Sequence, residues 1–354
     1  MNRSVIALTL LGTFAGAATA QSSVTLFGIA DVAVRNVDNG SVGSTTSMLS
    51  GGNASSRWGI RGTEDLGNGL KAGFWLESDV NMTNGSTNET FWNRRTTLSL
   101  SSAQLGELRL GRDLVPTHIA SCSLDPFGCV GMAAAINFRS TRAGVFSGIG
   151  GVQLAFRANN AVSYFTPDSL GGFSAQVMVS TGADQLSEGT EQVDSKGVRV
   201  GYRAGPVSVQ AATRVVTNTT AAVNDFKDNV IGASYDFGTA KVALQRRDFK
   251  FGTEKLEQTM LHLSAPLGPG VVKVSYIKAN QISPNATIDA NDSSMLGLGY
   301  QYNVSKRTSL YTTAAKISNK NRATFAVLGG PAVTAANFGG QSSTGYEVGI
   351  RHSF

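Results

Sequence analysis

Nowhere after Ala20 does the chain hold an apolar run approaching the roughly 18 residues that a membrane-spanning helix needs. What recurs instead is alternation with a period of two. In the terminal stretch "GYEVGIRHSF", Tyr346, Val348, Ile350 and Phe354 alternate with Glu347, Gly349, Arg351 and Ser353. In "SSRWGIRG", Trp58 and Ile60 alternate with Arg57, Gly59 and Arg61. "KAGFWLESD", "GELRLGRD" and "SMLGLGYQY" repeat the pattern. Successive side chains of a strand point to opposite faces, so each stretch reads as a strand with one apolar and one polar face.

Two kinds of connection join these strands. Tight ones, such as "EDLGNGLK" at 64–71, "SAQLGE" at 102–107 and "DFGTA" at 236–240, are rich in the Gly, Asn, Asp and Pro that short reversals need. Long polar ones include "NGSVGSTTSMLSGGN" and "NMTNGSTNET". Seven tight turns alternating with eight long loops make fifteen connections, hence sixteen strands. One interval is nearly double the usual spacing. Its excess falls at 114–151, which shows no strand alternation; a loop that long is usually functional.

The first twenty residues stand apart. Arg3 supplies a positive start, Val5 to Ala18 is a short run of apolar and small residues, and Ala18-Thr-Ala20 fits a small-x-small cleavage site. Residues 1–20 are therefore expected to be a secretory signal peptide and 21–354 the folded domain. In an exported chain the basic balance, +6 overall, does not point to nucleic acid and has to be read by position. An even number of antiparallel strands with short turns at one end and long loops at the other describes an all-β, sixteen-stranded transmembrane barrel of a bacterial outer membrane. Every backbone group within hydrocarbon must be paired, so the sheet has to close. Trp58, Phe91, Trp92, Tyr164, Tyr300 and Tyr311 fall near strand ends and are candidates for the interfacial girdles.

Several motifs then become recognisable: "SSVTLFGIAD" at 22–31, "SRWGIRGTEDLGNGLKAGFWLE" at 56–77, "GELRLGRD" at 106–113, "RANNAVSYFTP" at 157–167 and the terminal "VGIRHSF". In order and spacing they resemble the trimeric general porins of Gram-negative outer membranes, and most of all the anion-selective porins of β-proteobacteria. The resemblance implies a homotrimer, a third external loop folded inward, and a terminal Phe354 read by the barrel-insertion machinery. Outer-membrane lipids, lipopolysaccharide and small anionic solutes are the other partners it implies. No cofactor or metal is expected.

The resemblance also implies that Arg57, Arg94 and Arg157 form a cluster at the pore constriction. By strand phase Arg57, Arg61 and Arg157 face the lumen. Arg94 counts onto the lipid-facing phase with Trp92, and Arg95 onto the lumen phase. Either a bulge reverses the phase, or Arg95 is the lumen residue. Glu77 is lumen-facing, and Asp125 lies near the tip of the long loop; both are expected as acids across the eyelet. Cys122 and Cys129 flank Asp125-Pro-Phe-Gly128, either as a disulfide, the default in an exported protein, or as two free thiols.

Such a site filters by bore and field. Arginine rings favour anions, and arginine keeps its charge at any physiological pH. The expected function is general diffusion of small hydrophilic solutes with anion preference; a substrate-specific outer-membrane channel is the alternative. An enzyme is not expected. His118, His262 and His352 are scattered, and no HExxH, P-loop or GxSxG sequence is present.

Overall fold

Strand β1 (Ser23–Asp38) pairs antiparallel with the last strand, β17 (Ser342–Ser353), from Ile29↔Ser353 to Asp38↔Thr344. First strand therefore meets last, and the sheet closes on itself. The computed structural model describes residues 23–88, 90–138, 156–185, 192–218 and 225–354. The segment 1–20, expected to be a signal peptide, and the part of the long loop from 139 to 151 lie outside them.

Seventeen strand segments build a wall of sixteen strands. Segments β2 (Ser44–Ser50) and β3 (Arg57–Gly67) pair with the two halves of β1, as Val32↔Ser50 and Ile29↔Arg57, and so form one strand interrupted at 51–56. The other members are β4 (Leu70–Asp79), β5 (Thr96–Ser102), β6 (Gly106–Leu114), β7 (Arg157–Phe165), β8 (Phe173–Gln185), β9 (Gln192–Ala204), β10 (Val207–Asn218), β11 (Phe226–Asp236), β12 (Lys241–Phe251), β13 (Glu254–Leu267), β14 (Gly270–Ile282), β15 (Ser293–Asn303) and β16 (Thr308–Asn319). Each pairs antiparallel with its neighbour in sequence.

The alternation of long and short connections fails in two places. The stretch at 39–53 is not a long loop. It is a short turn at 39–43, the strand β2, and the start of the interruption. β2 is polar on both faces, "STTSMLS", which hid it. Between β12 and β13, at the end where the long connections lie, only Gly252 and Thr253 intervene.

Apolar residues of one phase are exposed around the wall, among them Leu98, Leu110, Val179, Ile231, Leu244 and Leu261. That exposure is what a hydrocarbon-facing surface requires, and the opposite phase faces the interior. At the end of β17 the ring of Phe354 lies on Gly28, where any Cβ would collide with it, and the two residues exchange backbone bonds (3.0 and 3.1 Å). Tyr164 and Tyr300 sit at the tight-turn end and donate their hydroxyls to the carbonyls of Leu105 (2.8 Å) and Leu267 (3.0 Å). Trp58, Phe91 and Trp92 form one cluster, with centroids 4.8–6.1 Å apart. Tyr311 is not a girdle residue. Its neighbour Leu310 takes the outer face, and Tyr311 points inward, 6% exposed.

The interior phase is not polar throughout. Near the long-connection end Met260, Ile277, Met295 and Ile317 of the wall are buried with Met132, Ala133, Ala134 and Phe138 of the β6–β7 connection. Phe325 and Val327 of the β16–β17 connection complete this cluster, Phe325 lying 5.1 Å from Phe138 edge-on. Burial of both faces explains why the alternation is muted there: in "TMLHLSA" Met260 and Leu261 are adjacent apolar residues facing opposite ways.

Candidate functional site

The interruption at 51–56 is held by one carboxylate. Asp31 is fully buried and accepts from the backbone N–H groups of Gly52 (3.1 Å), Asn53 (3.1 Å) and Ala54 (2.7 Å), and from the hydroxyl of Tyr311 (2.5 Å). Its own backbone exchanges bonds with the Ser56 hydroxyl (3.0 and 2.8 Å). Buried backbone donors need such partners. The effect is to fix the residue that restarts the strand, Arg57.

Arg94 and Arg95 stand opposite a single residue of β4. The N–H of Glu77 donates to the carbonyl of Arg95 (2.8 Å), and the N–H of Arg94 donates to the carbonyl of Glu77 (3.2 Å). Two residues facing one is a β-bulge, and it removes the phase conflict: both arginines reach the interior. Arg94 Nε meets Glu77 Oε1 at 2.5 Å, and Arg57 Nε lies 3.4 Å from the same oxygen. Arg157 opens β7 and is within electrostatic reach of Arg94 and Arg112. Its Nε has no hydrogen-bond partner among the described residues.

Arg57, Arg94 and Arg157 line one cavity of about 670 Å³, together with Lys273, Arg351 and Arg35. Among the described residues no carboxylate lines it. Glu77 sits behind Arg57 and Arg94 on the same wall. Asp125 is turned into its own loop, where its carboxylate accepts from the N–H groups of Phe127 (2.8 Å) and Cys129 (3.1 Å). An aspartate followed by a tight turn satisfies nearby backbone donors in this way. The acids expected across the eyelet thus stand elsewhere: one on the arginine side, one sunk in the loop. Arg61 and Arg95 belong to a separate group. Their guanidinium carbons lie 5.0 and 4.5 Å from the Trp75 ring centroid. Arg61 is roughly 13 Å along β3 from Arg57, toward the tight-turn end.

Residues Pro126 to Gly131 of the β6–β7 connection line the same cavity. This connection starts with helix α1 (Pro116–Cys122), begun by proline at its first turn. Thr117 donates to Asp228 Oδ2 (2.5 Å), which is itself paired with Arg247 (2.6 and 2.9 Å), both side chains fully buried. Gln245 Nε2 donates to the Ser121 hydroxyl (2.9 Å), and the Ser275 hydroxyl donates to the Ala133 carbonyl (2.8 Å). Cys122 and Cys129 are joined, with sulfurs 2.17 Å apart. His118 lies 3.5 Å from the Cys122 sulfur, but joined sulfurs offer no thiolate to a metal. Closing so short a loop contributes about 2–3 kcal/mol by chain entropy. Under denaturing, non-reducing conditions neither cysteine should take up iodoacetamide, and both should after reduction; mass spectrometry showing two labels before reduction would contradict the bond.

Three cations of the cavity, Lys273, Arg35 and Arg351, were not among the site residues expected from the sequence, although Arg351 falls on the polar phase of its strand. Lys273 is surrounded by valines in "GVVKVSY", which masks the alternation, although its phase opposite Tyr276 was available. Arg35 is buried against Glu347 (2.5 Å) and the Leu328 carbonyl (2.8 Å), contacts between distant segments that no local pattern signals.

The sequence matches the Gram-negative porin family over residues 7–322. It is 39% identical to outer membrane porin protein 32 of Delftia acidovorans, over the whole of both chains. It is 30% identical, again over the whole of both, to an outer membrane porin protein of Bordetella pertussis. The solved structure of an anion-selective porin from Comamonas acidovorans superposes with a TM-score of 0.81 at 39% identity, covering 94% of this chain and all of that one. OmpF of Salmonella typhi, at 15% identity and a TM-score of 0.67, shares the fold.

Proposed function

Because the chain belongs to the Gram-negative porin family, a family of outer-membrane channels and not of enzymes, we propose that it is a general diffusion porin that prefers anions. The observation that carries this reading is the unbalanced cavity, with Arg57, Arg94, Arg157, Lys273 and Arg351 at its surface and no carboxylate among the described lining residues. Cationic rings draw small anions in, and a low-dielectric wall focuses their field. Glu77 orients Arg57 and Arg94 and neutralises one of the two. The relative with the superposing structure is described as anion-selective, which supports the same sign here.

In this reading the β6–β7 connection is the inward-folded loop that narrows the channel, and the Asp228–Arg247 pair is its anchor. Three barrels assemble as a trimer, residues 1–20 direct export and are removed, and Phe354 is the feature read by the insertion machinery. Each of these extends the resemblance to trimeric general porins.

The test is electrical. Purified protein in a planar bilayer under a tenfold potassium chloride gradient should give a zero-current potential of the sign set by chloride. The potential should shrink as both solutions are made more concentrated, because screening shortens from about 10 Å at 0.1 M to about 3 Å at 1 M. A potential of the opposite sign rejects anion preference. Conductance blocked by one sugar or amino acid at low concentration would instead mark a substrate-specific channel.

A further inference from the structure

The joined cysteines of the β6–β7 connection have a third neighbour that the channel reading does not use. His118 and Cys122 are four residues apart on α1, which places them on one face of the helix. The two ring nitrogens of His118 stand 3.5 and 3.6 Å from the Cys122 sulfur. One of those nitrogens and the sulfurs of Cys122 and Cys129 all lie within 4.8 Å of one another. In a tetrahedral zinc site Zn–S is about 2.3 Å and Zn–N about 2.0–2.1 Å, so a nitrogen and a sulfur on one ion are about 3.6 Å apart. His118 and Cys122 already have that spacing. Two sulfurs on one ion are about 3.8 Å apart, a spacing open to Cys122 and Cys129 only when their bond is broken.

Breaking the bond does not scatter the three side chains, because each is held by contacts of its own. The N–H of Cys129 donates to the Asp125 carboxylate (3.1 Å), which also accepts from the N–H of Phe127 (2.8 Å) and so fixes the turn. Helix α1 is tied to the wall through Thr117 and Asp228 (2.5 Å) and through Ser121 and Gln245 (2.9 Å). The His118 ring packs edge-on against Phe156, with centroids 4.9 Å apart. His118 and Cys129 line the cavity together with Arg57, Arg94 and Arg157, so an ion reaches them from the lumen. Two thiolates cancel the charge of a divalent ion, and the filled site therefore adds no net charge beside the arginines. Three protein ligands with a fourth position open to solvent is an arrangement that zinc adopts.

We propose that reduction of the Cys122–Cys129 bond opens a zinc site on the cavity surface, made of His118, Cys122 and Cys129. A dithiol supplies two electrons and two protons: the S–S bond breaks, two cysteine thiols form, and the dithiol closes into a cyclic disulfide. Zinc then displaces the two thiol protons to solvent. The inference goes beyond the ion preference, and only its conductance test rests on the channel reading. Full-length protein in non-ionic detergent is reduced with dithiothreitol, freed of it without air, and titrated with cobalt(II) and then zinc. The reduced protein should show sulfur-to-cobalt charge-transfer absorption with tetrahedral d–d bands, and zinc should abolish both by displacement. The oxidised protein, and reduced protein alkylated with iodoacetamide, should bind zinc at least tenfold more weakly. Equal binding by either overturns the proposal, and neither comparison needs a variant to fold. After reduction, His118→Gln should weaken zinc binding at least tenfold; unchanged affinity overturns the three-residue site. In a planar bilayer zinc should lower the conductance of reduced channels and a chelator should restore it; an unchanged conductance overturns the placement at the cavity. A protein that forms no channel sinks the functional reading while leaving the metal titrations intact.

Discussion

A barrel carrying Arg57→Gln, Arg94→Gln and Arg157→Gln together should lose most of its preference for anions. The substitutions remove three of the five cations proposed to act on a passing ion. Lys273 and Arg351 then remain against Glu77, whose carboxylate is freed from the Arg94 and Arg57 contacts at 2.5 and 3.4 Å. At about 10 Å in water each unit charge contributes ~0.4 kcal/mol to an ion's energy, so three contribute ~1.2 kcal/mol. That corresponds to about a tenfold change in the partition of one monovalent ion, in opposite directions for anion and cation. The zero-current potential should therefore fall close to zero, most visibly below 0.1 M salt where screening is weak. Adding Glu77→Gln to the triple variant should bring part of the anion preference back. If the triple variant keeps the wild-type potential, the cluster does not set selectivity.

Asp228→Ala should cost about 3–5 kcal/mol of stability, because it leaves the Arg247 guanidinium buried without its partner. It also takes the acceptor from Thr117 at the start of α1. Since α1 leads into the segment lining the cavity, single-channel conductance should rise and become noisier. Thermal unfolding and single-channel recording read the two effects separately. The double variant Asp228→Ala/Arg247→Leu should recover most of the stability, as apolar replacements of buried ion pairs often do. It should not restore the wild-type conductance, because Thr117 still lacks its acceptor. A conductance like the wild type's in both variants would show that this anchor does not position the lining segment.

How much of this was legible in the sequence depended on whether one face or two were buried. Along β17, Tyr346, Val348 and Ile350 are exposed and Glu347 is buried against Arg35, as a period of two requires when lipid covers one face and the polar interior takes the other. The count of sixteen strands was readable from a different signal, the tight turns, which the structure keeps. The reading failed where the interior is apolar as well, around Met260 and Ile277, and where a strand is polar on both sides, as in β2. Tyr311 was misjudged as a girdle residue, since its partner Asp31 lies far away in sequence and an aromatic near a strand end looks the same on either face.

The sequence by itself determined most of the strands, their inward and outward faces where only one face is apolar, the place of Arg57 on the inner one, and the adjacency of first and last strand that closure demands. These follow from local geometry, in which each residue's direction is set by its neighbours one and two positions away. Tertiary structure alone decided that Arg94 and Arg95 both point inward, that Glu77 stands behind the arginines, and that Asp125 turns into its loop. Those outcomes depend on a bulge and on hydrogen bonds whose partners are brought together only when the sheet closes, and a period of two carries no information about either.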